Sequence, residues 1–227
     1  MFVTEQTDIM TRKRERKIPG TFLLAAVRSG DPWCKTMVSI SKFVIKDNVV
    51  VCNEEVRCPV CGAELNKKDH VLRVLKKAGG SKEWYRIERR KCKCCGKTHR
   101  LLPDMWAPYK HYGAELIEDV IDEAVSEEDV ATEDYPCEAT MNRWCQWFED
   151  IRENAEGYLR SAGYKVLELS DEFLKSQVSL LEGLRDKLYR GWLRLTLRIM
   201  CNAGAVMRPP AADEIPLLCF DGTGAIG

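Results

Sequence analysis

The chain has 227 residues, 45% hydrophobic and 31% charged, with 35 Lys and Arg balancing 35 Asp and Glu. These figures suit one or two small soluble domains in an α+β chain. They exclude collagen-like, wholly disordered and membrane-spanning sequences, since no run of about eighteen apolar residues occurs. The charge is uneven: residues 1–110 carry 24 basic and 12 acidic side chains, whereas in 111–150 Arg143 alone opposes 13 carboxylates. A basic front half points to a polyanionic partner.

Eleven cysteines, an odd number in a chain long enough to bury a core without staples, fit a reducing cytoplasm better than secretion. Residues 1–20 read as a basic, flexible tail. The apolar stretch from Thr21 to Val27 behind Arg12–Lys17 is a minimal signal-like segment cut off at once by Arg28. Over 21–56, β-branched residues in Met37–Ile40 and Phe43–Val51, with Asp47-Asn48 as a turn, predict a short β segment folded as a hairpin.

A cysteine-bounded unit follows at 57–104. It contains Cys58-Pro59-Val60-Cys61-Gly62, a strand over His70–Lys76, a turn at Ala78–Ser81, a strand over Trp84–Lys91, and Cys92-Lys93-Cys94-Cys95-Gly96. A two-residue gap between cysteines folds each segment into a turn that points both thiolates at one ion, and the following Gly accepts the left-handed geometry closing that turn. Cys58, Cys61, Cys92 and Cys95 therefore predict one structural Zn2+ per chain in a four-cysteine zinc ribbon. Four thiolates leave no open position for metal catalysis. Cys94 breaks the matched spacing and reads as a spectator, with His99 as an alternative ligand. The remaining cysteines lack paired spacing and read as structural thiols, with Cys145 on an apolar helix face.

Arg73, Lys76, Lys77, Lys82, Arg86, Arg89, Arg90, Lys91, Lys93, Lys97 and Arg100 crowd this hairpin and its second turn, with Glu83 and Glu88 as the acids among them. Such a surface attracts phosphate through charge and counterion release, and Trp84 or Tyr85 offers a ring for stacking on a base or for covering the hairpin.

Beyond Pro108 the pattern becomes helical. Ala114–Val125 carries an apolar stripe, Ser126–Tyr135 is a polar link, and Glu138–Ile151 places Met141, Trp144, Cys145 and Phe148 on one face. The 111–151 segment thus reads as helix-turn-helix-like, with Asn142, Arg143 and Gln146 facing outward as groups suited to base edges, opposed by the surrounding carboxylates. The region 152–227 is helical, dominated by one helix from Asp171 to about Met200 behind Ser170, weakened at Gly183 and Gly191. Its apolar seam either packs within the monomer or forms a homodimer. Phe220–Gly224 lacks the Lys of a phosphate loop.

The stretch Cys58–Gly62, the basic second strand, and Cys95-Gly96-Lys97-Thr98-His99-Arg100-Leu101-Leu102-Pro103-Asp104 resemble a bacterial family of zinc-ribbon proteins of unknown function. That family is similar to the N-terminal zinc-binding and helix-turn-helix parts of insertion-sequence transposases. The resemblance covers about 57–151, including Tyr109-Lys110-x-Tyr112 and Thr140–Trp144, and implies DNA binding by a non-catalytic protein tied to mobile elements, with a transposase or recombinase as partner. Residues 152–227 are too few and too helical to supply a transposase catalytic domain, and no His-Glu-x-x-His occurs, so no enzyme is expected. Two functions follow: a DNA-binding accessory or regulator, and a zinc-stabilised protein-interaction adaptor without nucleic-acid binding.

Overall fold

The computed structural model describes residues 37–77, 80–126, 128–129, 136–163, 167, 178–205 and 207. The predicted tail 1–20, the apolar stretch at 21–27, Ala78-Gly79 of the hairpin turn, most of the 126–135 link, the Ser170 cap with Asp171–Gln177, and Phe220–Gly224 lie outside these residues. The architecture is mixed α+β, strands first and helices after.

β2 (Phe43–Lys46) and β3 (Val49–Cys52) form the predicted hairpin. Its two turn residues, Asp47 at φ 49° and Asn48 at φ 60°, both take the left-handed conformation that a two-residue hairpin turn requires. β4 (Leu65–Lys76) and β5 (Lys82–Cys92) are longer than the sequence pattern suggests and pair antiparallel, with a bulge between Lys67 and Asp69. β6 (Thr98–Pro103) pairs antiparallel with β5 at Arg89–Lys91. β1 (Met37–Ile40) pairs not with its neighbour β2 but parallel with β6. β3 runs parallel to β5 at Arg86 and Ile87. One edge of β5 is thus lined by β4, and the other by β3 and then β6.

Two expectations change. β1, grouped in the sequence with the 43–51 hairpin, belongs beside β6 instead, and all four of its residues are buried. No strand is expected at 98–103, because charged residues and a terminal proline obscure the alternation; pairing with β5 and burial of His99, Leu101 and Leu102 make it one.

β5 alternates along its first half: Tyr85 and Ile87 face the core, whereas Trp84 and Arg86 face solvent. The core side gathers Ile40, Val50, Leu75, Leu101 and Trp106, with the Tyr85 and Trp106 rings edge-to-face at 5.2 Å.

α1 (Ala114–Ile121) ends four residues before its predicted limit, and α2 (Glu138–Tyr158) continues past Ile151 into a π turn at Leu159–Gly163. Trp144, Trp147, Phe148 and Ile151 of α2 are buried, but Cys145 is exposed rather than on the apolar face. The single long helix expected up to Met200 is two: α3 (Leu180–Lys187) and α4 (Trp192–Asn202). The break falls at Gly191, whose φ of 86° ends one helix direction and starts another. The amide groups released there are bound by Glu118 of α1, which accepts from the N–H of Gly191 and of Leu193, the latter at 2.8 Å. Asp122 accepts from Trp192 Nε1 at 2.7 Å. In the same way Glu156 of α2 accepts from the N–H of Leu180 and Leu181 at 2.8 and 2.9 Å. Of the described residues of the apolar seam, Leu181, Leu184, Trp192 and Ile199 are buried inside this helical cluster, Leu188 and Leu195 pack against it half-buried, and Val178 is exposed.

α4 returns to the sheet. Asn202 accepts from Ser39 N–H at 2.8 Å and donates to Ser39 C=O at 3.0 Å, closing the outer edge of β1. No helix among the described residues is long and apolar enough to cross a membrane.

Candidate metal centre and the cationic sheet

Two matched turns build the cysteine cluster. In the first, Cys58 N–H donates to Ala63 C=O at 2.9 Å and Gly62 stands at φ 72°. In the second, Cys92 N–H donates to Lys97 C=O at 2.8 Å and Gly96 stands at φ 70°. The β4–β5 pairing carries the two turns to one end of the sheet, where Lys93 N–H reaches Glu64 C=O at 3.1 Å. Gly204, just beyond α4, closes against the first turn: a Cβ there would stand 3.2 Å from Pro59 O.

The Sγ atoms of Cys58, Cys61, Cys92 and Cys95 all lie within 4.8 Å of one another, a group that can hold a metal ion. Cys58 and Cys95 are 3.6 Å apart, and Cys61 and Cys92 are 3.4 Å apart. A tetrahedral ion with metal–sulfur bonds of about 2.3 Å separates its sulfurs by about 3.8 Å, so these sulfurs need little movement to fit one. The N–H groups of Cys94 and Cys95 both point at Cys92 Sγ, at 3.4 Å each. Burial raises the Cys92 thiol, but the two amides and the Cys61 thiol outweigh it and bring the group down to about 6. Burial pushes Cys58 up to about 12 despite the amides of Val60 and Cys61.

Cys94 is exposed and outside the group of four. His99 is fully buried with Nε2 3.3 Å from Cys58 Sγ. It therefore braces the Cys58 sulfur from behind, a placement sequence spacing does not reveal because it depends on β6 lying beside β5.

The predicted nucleic-acid residues separate into groups. Arg73 points inward and donates to Ala107 C=O at 3.1 Å and Lys110 C=O at 2.6 Å; burial draws its guanidinium down to about 10. Arg100 is half-buried, with a buried Nε. Lys76 lies over the Tyr112 ring at 5.1 Å. Lys77, Arg89, Arg90 and Lys93 pair with Glu83, Asp69, Glu88 and Glu64. Asp69 and Glu64 reach these cations from β4 and its approach, neighbours that local sequence does not reveal. Lys82, Arg86, Lys91 and Lys97 are exposed and have no ion pair among the described residues.

Asn142, Arg143 and Gln146 are exposed on α2 as expected. Asn142 donates to Glu138 at 3.4 Å, Gln146 to Asp150 at 3.1 Å, and Arg143 to its own helix at Ala139 C=O, 2.9 Å.

No curated protein and no solved structure matches the chain. Residues 58–144, from the first cysteine of the cluster to Trp144 in α2, match the family model described as a domain of unknown function (DUF6431).

Proposed function

We propose that the four sulfurs hold one structural zinc ion, making the β4–β5 unit a zinc ribbon, and that the chain is a non-catalytic DNA-binding protein. An all-thiolate set with tetrahedral spacing suits zinc, and such closed sites act by fixing structure. The metal locks the two turns together where the sheet has little core, so its binding free energy stabilises the ribbon. The observation carrying the DNA reading is the set of four exposed cations, Lys82, Arg86, Lys91 and Lys97, left without carboxylates while their neighbours are neutralised. Phosphate is the partner that such unpaired charge favours.

The resemblance to the N-terminal part of insertion-sequence transposases supports a role as accessory or regulator of a mobile element, with a transposase or recombinase as partner. A recognition-helix role for α2 gains less support, because Asn142 and Gln146 are held by Glu138 and Asp150 and the outer face is acidic. The zinc-stabilised adaptor without DNA binding remains a second reading, supported by the neutralisation of Lys77, Arg89, Arg90 and Lys93.

Anisotropy titration of the full chain with labelled duplex DNA across a salt series tests the proposal. Log affinity is expected to fall linearly with log salt, by about 0.9 per phosphate neutralised, with a shallower slope for Lys91→Glu/Lys97→Glu. Absent or salt-insensitive binding favours the adaptor.

A further inference from the structure

The solvent face of the sheet carries an aromatic side chain among unpaired cations. Trp84 is 56% exposed, whereas Trp106, Trp144, Trp147 and Trp192 are buried. Leu72 is 63% exposed on the neighbouring strand, opposite Arg86 and diagonal to Trp84, which faces Val74. On the other side Val49 stands across from Arg86. Lys82 and Arg86 flank Trp84 two residues away in each direction, about 7 Å along the strand. Of the β4 and β5 positions on this face, Glu88 is the one carboxylate, and it is buried and held by Arg90.

A large exposed aromatic beside an exposed leucine is costly to leave in water and marks a contact surface. A protein partner for such a patch brings no need for a carboxylate-free cationic surround, whereas a polyanion with flat apolar rings does. Bases inside a duplex hide their faces in the stack, so a ring standing on a sheet surface meets a base only where the strand is unpaired.

We propose that this face binds unpaired nucleotides, one base stacking on Trp84 against Leu72 while Lys82 and Arg86 contact the flanking phosphates. The inference rests on the nucleic-acid reading above and adds that the preferred ligand is single-stranded, as at a melted or frayed DNA end. It also assigns the stacking ring, since Tyr85 is turned into the core against Trp106.

The test uses the full-length zinc-loaded chain, one labelled oligonucleotide, and its duplex, compared by anisotropy at low salt for the wild type, Trp84→Ala and Trp84→Phe. Trp84→Ala is expected to weaken single-strand binding about tenfold and change duplex binding less than about twofold, with Trp84→Phe recovering most of the loss. Wild-type tryptophan emission should fall on adding single strand and change much less in Trp84→Phe. Equal losses on both DNAs, or no loss on single strand, overturn the inference while leaving the DNA reading standing. If the wild type binds neither form at low salt, the DNA reading itself falls, the inference falls with it, and the face belongs to a protein partner.

Discussion

Arg73 and Arg86 occupy the same hairpin, yet burial gives them different work. Arg73 ties the 107–110 turn to β4 through two carbonyls, so Arg73→Met should lower unfolding free energy by about 1–3 kcal/mol in urea while duplex DNA affinity stays within about twofold. Arg86→Glu should do the reverse. Loss of DNA affinity in Arg73→Met at unchanged stability would contradict this division. Gly62 and Gly96 have nothing within 4 Å of an added Cβ, so an alanine there meets only the cost of a left-handed backbone. Gly96→Ala should reduce the stability of the zinc-loaded chain by about 1–2 kcal/mol, read by chemical denaturation. The four-cysteine cluster was legible because two matched Cys-x-x-Cys-Gly turns state their own geometry. The partners of Arg89 and Lys93 were not, since Asp69 and Glu64 lie 20 or more positions away and meet them through a bulged strand register.

At the scale of elements, helix ends are tied by carboxylates from other helices. Glu156 is raised by burial, but the Leu180 and Leu181 amides and the Ser179 hydroxyl outweigh that and hold its carboxyl below the usual range. A carboxyl depressed on folding stabilises above its unfolded value, and that contribution disappears as pH falls through the lower folded value. Glu156→Gln should therefore lose about 1 kcal/mol at neutral pH and show a shallower acid limb in a urea-midpoint series, converging with wild type in acid. Asn202→Ala should cost about 1–3 kcal/mol by stranding the backbone N–H and C=O of Ser39. The helices at 114 and 138 were legible from their apolar period. The division at Gly191 was only half legible: glycine marked a weak point, but the break depends on Glu118, 73 positions earlier, accepting the exposed amide.

At the scale of the molecule, no carboxylate of the acidic segment pairs with the exposed sheet cations among the described residues. Glu118, Asp119 and Asp122 turn toward α3 and α4, where Arg190, Arg185 and helix amides bind them. Among the described residues, Lys82, Arg86, Lys91 and Lys97 meet no carboxylate, which suits the polyanionic partner proposed above. The order of strands before helices was legible from the change in period, whereas the union of 37–52 with 65–103 in one sheet was not, because parallel pairs leave no local mark.

Metal content of the reduced, full-length chain, by native mass spectrometry beside single Cys→Ser variants, bears most directly on the zinc ribbon proposed for the four-cysteine cluster. One zinc per chain is expected in wild type and Cys94→Ser, with occupancy lost in Cys58→Ser, Cys61→Ser, Cys92→Ser and Cys95→Ser. A folded, metal-free wild type, or zinc retained by Cys95→Ser and lost by Cys94→Ser, would contradict it.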